Sequence, residues 1–299
     1  MTNLFKRIKF HFKYGRIRLT QRTSTKVTYW TTTVIFSLFS LVYAYLLFWL
    51  IIACFKSHTE LALHPWSMPK EWRWHNFIEM FEVFEFANTT MLGMIWNSVW
   101  HSIGSTILQV WATMSIAYLC TKYKFPGSRF IPPYLMTLLI FPLYGSSGAG
   151  YRLVHAFGFV NSPTILITAC TLTGWNFFYF QAFFSNVSNA YAEAAVIDGA
   201  NDWDILYRII FPQSFGICGA IAITAWATAW QDYSSQILYM DKMPTLSVGI
   251  YFFKNEMVYR ARMDILYCAC LVSMIPIFTL YATFNNLLFT NISLGGIKE

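Results

Sequence analysis

The chain has 299 residues, 56% of them hydrophobic and only 12% charged, with a formal net charge of +7. A charged share about half the usual one excludes an ordinary water-soluble globule and makes lipid the solvent for most of the sequence. No stretch is left over for a separate water-soluble domain.

In chain order, the first thirty residues hold Lys6, Arg7, Lys9, Lys13, Arg16, Arg18, Arg22 and Lys26 and no acid. Such a flank stays in the cytoplasm against anionic lipid, a role preferred here to nucleic-acid binding. The apolar run behind it starts too late and runs too long for a cleaved signal peptide. Six stretches reach the roughly 20 residues that a helix needs to cross about 30 Å of hydrocarbon. They are 31–55, 94–121, 130–150, 164–184, 215–238 and 264–289. The third contains Pro132, Pro133, Pro142 and the cluster from Gly145 to Gly150, which predicts a helix break or a re-entrant bend. The expected fold is all-α, a polytopic membrane protein with six transmembrane helices. A basic segment (1–30) precedes one membrane domain (31–290), and a short cytoplasmic tail (291–299) follows it.

Lysine and arginine placement orients the spans. The loop after the first span carries Glu60, Glu71, Glu79, Glu82 and Glu85 against Lys56, Lys70 and Arg73, which suits the outside, whereas Lys122, Lys124 and Arg129 mark a cytoplasmic turn. Six spans then place both termini in the cytoplasm, together with the loop 186–212. That loop holds Glu193, Asp198, Asp202 and Asp204 against Arg208 alone, so it defies the positive-inside trend and is better explained as a docking surface. At about 2.5–3.5 kcal/mol per carboxylate at the bilayer centre, four of them keep it out of the membrane. Helix formers from Ala192 to Ile197, a turn at Gly199, and an apolar stripe of Ile205, Leu206, Ile209 and Ile210 predict a helix–turn–helix on the membrane surface.

Catalytic motifs are missing. The chain has no Gly-x-x-x-x-Gly-Lys-Ser/Thr phosphate loop, and the Gly145–Gly150 cluster lacks the Gly-x-Ser-x-Gly order. The histidines, among them His64, His75, His101 and His155, show no His-x-x-x-His spacing for a metal. Cys54, Cys120, Cys170, Cys218, Cys268 and Cys270 fall in or beside apolar spans and read as packing residues. Cys268 and Cys270 point about 200° apart on a helix. No enzyme, metal or cofactor is expected on this chain.

The order Glu-Ala-Ala, three residues, Gly, nine residues, Ile-x-Leu-Pro resembles the signature of permease subunits of ABC importers with the type I fold. It stands here as Glu193-Ala194-Ala195, Gly199, Ile209 and Pro212, with Phe211 where leucine is usual. Asp198-Gly199-Ala200 followed by Trp203 is similar to the carbohydrate-uptake branch. The tail Gly295-Gly296-Ile297-Lys298-Glu299 is similar to that of the second permease of maltose-type systems. The resemblance extends over the whole chain in span number and spacing. It implies a multi-pass subunit of the bacterial cytoplasmic membrane, paired with a second permease. It also implies two cytoplasmic ATPase subunits, which hold the ATP and Mg2+, and an extracytoplasmic solute-binding protein. It makes Glu193, Ala194, Ala195, Asp198, Gly199, Ala200 and Pro212 the ATPase-coupling residues, and it brings Lys298 and Glu299 to the ATPase.

Polar and aromatic side chains inside spans line paths or helix contacts. Trp175, Asn176 and Tyr179 of the fourth span, and Trp226, Trp230 and Gln231 of the fifth, are candidates for a sugar passage of aromatic faces and sparse polar groups. Aromatic belts and helix packing account for the same residues equally simply, and in maltose-type systems the partner permease holds most substrate contacts. The stretch from Met240 to Met263, with Pro244, Tyr251 and Phe252, resembles the loop that probes the binding protein, or else forms an interfacial cap. Two alternatives stay open: a permease of the same fold for another solute, such as a polyamine or glycerol phosphate, and a membrane assembly or sensor protein that passes no solute.

Overall fold

The computed structural model describes residues 23–141, 147–170, 174–256 and 262–292. The basic residues up to Arg22, the start of the Gly145–Gly150 cluster, and the tail with Lys298 and Glu299 lie outside them.

Helix α1 (Thr23–Cys54) begins ahead of the expected first span and is about 48 Å long at 1.5 Å per residue. From Lys26 on its side chains are exposed nearly throughout, and only its last turns are buried. The chain then builds a small cap from α2 (His58–Leu63), α3 (His75–Val83) and a hairpin of β1 (Glu85–Phe86) and β2 (Thr89–Thr90). Register is Glu85↔Thr90 and Phe86↔Thr89, and Ala87 and Asn88 both take positive φ, as a two-residue hairpin turn of matching twist requires. Asn76 Nδ2 donates to Cys54 O and to Lys56 O, both at 2.8 Å, and so satisfies carbonyls that the end of α1 leaves open.

Helix α4 (Met91–Lys122) is the axis of the packing, against which four later elements lie extensively. Next come α5 (Ile131–Ile140), α6 (Ser147–Ala156), a 3-10 helix (Pro163–Cys170) and α7 (Gly174–Asn186). Within the described residues, the third and fourth expected spans are each represented by two shorter helices. Helices α8 (Ala190–Ile197) and α9 (Asp202–Gln213) form the acidic segment, with π geometry over Ile205–Ile210. Then α10 (Phe215–Gln231) turns from α9 by 76°. It stops short of the expected residue 238 because Asp232 takes an extended conformation, and Asp232 Oδ1 accepts the Ser235 amide (3.2 Å) at the start of α11 (Ser234–Tyr239). Helices α12 (Leu246–Glu256) and α13 (Met263–Ile292) complete the chain. Among the described residues, α1, α4 and α13 are each long and apolar enough to cross a membrane, and the bent pair α9–α10 is a fourth candidate.

Two cores sit at opposite ends of α4. One joins Val110, Met114 and Tyr118 of α4 to Phe177, Phe180 and Phe184 of α7, Ala195 of α8, Ile205, Leu206 and Ile210 of α9, and Ile221 of α10. The other joins Met91 and Met94 to Met80, Phe84, Trp230, Leu246, Phe253 and Ile265. Polar groups of α4 and α11 tie in the start of α12 and the residues just before it. Asn97 Nδ2 donates to Pro244 O (3.0 Å), Ser98 Oγ accepts from Leu246 N (2.8 Å), and buried Gln236 accepts from Thr245 Oγ1.

Arg262 joins the cap to α13. It donates to both carboxylate oxygens of Asp264 (3.2 and 3.3 Å) and meets Glu79 of α3 at 2.7 Å. The hydrogen bond from Arg262 holds the Glu79 carboxyl below the usual carboxylate range, against the opposing effect of burial.

Candidate coupling surface and polar path

Helix α8 ends in a glycine turn. Ala200 N donates to Ala195 O (2.9 Å) and Gly199 N to Val196 O (3.0 Å), the paired bonds of a Schellman motif, and Gly199 sits at φ +81°. Only a residue tolerant of left-handed backbone fits there, and a Cβ would meet nothing within 4 Å. Asn201 then starts α9 as its N-cap, its Oδ1 accepting from Asp204 N at 2.9 Å. The predicted helix–turn–helix is thus present, and the predicted apolar stripe faces inward: Ile205, Leu206 and Ile210 are buried and Ile209 is partly so.

Of the motif residues, only Ala195 is buried, as the small contact that lets α8 lie close on the core below. Ala200 packs partly against the same core. Glu193, Ala194, Asp198, Gly199 and Pro212 are exposed. Beside them stand Val196 at 60% and Ile197 at 85% exposure, with Tyr191 and Trp203 also open. Among the described residues, Glu193 and Asp198 have no ion pair, while Asp204 pairs with Arg208 at 3.2 Å. The surface presents the exposed carboxylates of Glu193 and Asp198 around bare aliphatic side chains.

Two side chains at the end of α4 hold this unit, and the sequence did not mark them. Lys122 Nζ donates to Val187 O (2.6 Å) and Asn189 Oδ1 (2.8 Å), just before α8. The Tyr123 hydroxyl donates to Asp202 Oδ1 (2.8 Å), just after it. Burial, and then the bond to Asp202, push the Tyr123 phenol well above its usual range. In the sequence, Lys122 reads as a topology anchor, and that reading gives no hint of these bonds. Removing the Tyr123 hydroxyl in Tyr123→Phe loses about 1 kcal/mol. Hydrogen-exchange protection of the α8–α9 amides is then expected to fall about five-fold, and further in Lys122→Met, with the amides of α13 unchanged.

The fifth-span candidates are brought together. Trp226 and Trp230 stack at 5.2 Å, Trp230 Nε1 donates to Ser273 O (3.0 Å), and Trp230 and Gln231 line a cavity of about 410 Å³ between α10, α12 and α13. Tyr233, Ser247, Ser273 and Phe278 line it too, beside apolar side chains of α12 and α13 such as Leu246 and Ile277, and among the described residues no charged side chain lines it. On α10 the exposed residues Thr224, Thr228 and Gln231 recur at i, i+4 and i+7 as a polar stripe. The fourth-span candidates lie elsewhere. Trp175 and Tyr179 occupy the exposed side of α7, opposite buried Phe177, Phe180 and Phe184; Asn176 is half-buried, and none of the three lines the cavity. Pro244 is buried, Phe252 stacks on Phe86 of β1 at 4.3 Å, and Tyr251 is exposed and stacks on Tyr233 at 4.8 Å.

The family model for binding-protein-dependent transport system inner membrane components matches residues 113–293. Among curated proteins, the chain is similar to the diacetylchitobiose uptake system permease protein NgcG of Streptomyces coelicolor, 24% identical over 87% of this chain and 86% of that one. It is also similar to the arabinooligosaccharides transport system permease protein AraQ of Halalkalibacterium halodurans, 24% identical over 93% and 99% of the two chains. In fold it matches a chain from the crystal structure of a bacterial ABC transporter involved in the import of the acidic polysaccharide alginate. The TM-score is 0.73 at 15% identity, over 90% of this chain and 99% of that one.

Proposed function

The chain belongs to the family of binding-protein-dependent transport system inner membrane components, and from that premise we propose that it is one permease of an ABC importer for neutral oligosaccharides. It is a transport subunit, not a catalytic one. In our reading it is the second permease of a maltose-type pair, with both termini in the cytoplasm. Two ATPase subunits bind ATP and Mg2+ on the cytoplasmic side, and a binding protein delivers solute from the other side.

The observation that carries this reading is the seated but uncovered helix α8, with Ala195 in the core and Glu193, Val196 and Ile197 facing out. A partner that moves α8 moves a packed cluster, because Ala195, Ile205 and Ile210 share one core with α4, α7 and α10. Close-packed cores transmit displacement rather than absorb it. ATP-driven closure of the ATPases therefore tilts α4 and α10 together and exposes the path alternately to the two sides. The relatives named for oligosaccharide uptake support the cargo class. The stacked indoles and hydroxyl-bearing lining, with no basic side chain among the described residues, favour a neutral sugar over an anion such as glycerol phosphate. Reconstituted with its partner permease, ATPases and binding protein, the chain is expected to support ATP-driven uptake of a labelled oligosaccharide. Uptake should fall several-fold in Trp230→Ala. ATP-dependent flux that is absent for oligosaccharides but present for a polyamine or a phosphate ester would overturn the cargo.

A further inference from the structure

The segment between α2 and α3 turns back along α1 instead of away from it. Trp66 stacks on Tyr45 (centroids 6.1 Å, interplanar 17°) and lies 5.4 Å from Trp49. Tyr45 stands about 13 Å back along the helix axis from Cys54. Two of the strap's carbonyls, those of His64 and Pro65, are satisfied by side chains. Trp49 Nε1 donates to Pro65 O (2.9 Å), and Nζ of buried Lys56 donates to His64 O (2.8 Å), Pro65 O (3.1 Å) and Ser67 Oγ (3.4 Å). Backbone that leaves water must find such partners, whereas an aqueous loop has no need of them. Yet the outward side of the strap is bare: Leu63, Trp66 and Met68 are all strongly exposed.

Aromatic spacing sets the level. Tyr29 and Trp30 stand exposed near the start of α1, and Trp49 follows Trp30 by about 28 Å along the axis. That is close to the roughly 30 Å of a bilayer's hydrocarbon, and Trp and Tyr gather at its two edges. Between them α1 exposes Val34, Phe36, Phe39, Leu41 and Val42. The level of Tyr45, Trp49 and Trp66 is then the second interface.

We propose that the strap 64–68 is an interfacial lipid anchor. Trp66, with Leu63 and Met68, enters the glycerol and upper acyl region of the leaflet at the C-terminal end of α1, and Trp49 and Lys56 keep the His64 and Pro65 carbonyls paired there. This fixes the depth of α1, and with it the cap that Asn76 and Arg262 fasten to α1 and α13. It rests on α1 crossing the membrane and is independent of cargo and ATPase docking.

The test uses the full chain in phosphatidylcholine–phosphatidylglycerol nanodiscs, its six cysteines replaced and a nitroxide placed singly at Leu63, Trp66, Met68 or Glu71. Power saturation with oxygen and a water-soluble nickel chelate is expected to favour oxygen at 63, 66 and 68, and nickel at the exposed control 71. In Trp49→Phe, which keeps a ring and loses the donor, nickel accessibility at 68 should rise at least two-fold. Nickel access at 66 and 68 equal to that at 71 overturns the proposal by placing the strap in water. Shielding of these sites from both reagents overturns it by placing another protein chain over them. Should the cysteine-free chain not fold, quenching by brominated lipid decides the point in the native sequence. Trp66→Phe should remove a measurable part of the quenched tryptophan emission, and unchanged quenching overturns the proposal.

Discussion

Gly199→Val is expected to reduce uptake at least ten-fold, while Gly199→Asn keeps most of it. At φ +81° with open space around its Cα, Gly199 is required for its backbone conformation and not for room. A β-branched residue held in that region costs about 1–3 kcal/mol, which the end of an eight-residue helix cannot absorb. The turn reopens, the bonds from Gly199 N and Ala200 N are lost, and Val196 and Ile197 leave the docking face. Asparagine visits left-handed backbone readily and keeps the turn. Uptake and ATP hydrolysis in the same vesicles separate the outcomes: hydrolysis should lose its stimulation by loaded binding protein in the valine variant only. Unchanged transport in Gly199→Val would remove the turn from the mechanism.

Arg262→Met is expected to give the largest loss of stability. Asp264 is almost fully buried, and Arg262 is its charge partner. Breaking a buried pair costs about 3–5 kcal/mol. Arg262 is itself one-third exposed, at 32%, so water enters and the loss falls to about 2–3 kcal/mol. At roughly 2–4 °C per kcal/mol, the midpoint of thermal unfolding in detergent drops by several degrees. Adding Asp264→Asn should recover most of it, because the stranded carboxylate is gone. Glu79 supplies a pH signature. Its carboxyl titrates below the ordinary value in the folded chain, so its contribution is full above about pH 4.3 and is lost as pH falls through the depressed value. Wild type and Glu79→Gln should differ in midpoint at neutral pH and converge in acid. Equal midpoints at both would show that the Arg262–Glu79 bond carries no stability.

What was legible in the sequence follows from how local each signal is. Hydropathy marks apolar length, so α1, α4 and α13 were plain. A run of carboxylates beside helix formers marks a surface helix, so α8 and α9 were too. The division of the third and fourth spans was only partly visible. In the third, the described break falls at Phe141, whereas Gly148 and Gly150 of the expected break lie inside α6; nothing in 164–184 announces that the chain begins there as a 3-10 helix. The early end of α10 depends on Asp232 serving as a cap, which is a choice between two local roles for one carboxylate. Lys122 reaches Asn189 across 67 residues and Arg262 reaches back to Glu79, and no periodicity encodes such pairs. The candidate path was legible as composition but not as position: Trp226, Trp230 and Gln231 converge, while Trp175 and Tyr179 point from another helix.

The docking role of α8 is tested most directly by a photo-crosslinking residue at Ile197, the most exposed apolar side chain of that helix at 85%. In native membranes, illumination is expected to yield one adduct with an ATPase subunit, lost in Gly199→Val and absent when the probe stands at Trp66. An adduct only with lipid or with another membrane subunit would contradict the assignment of this surface to an ATPase.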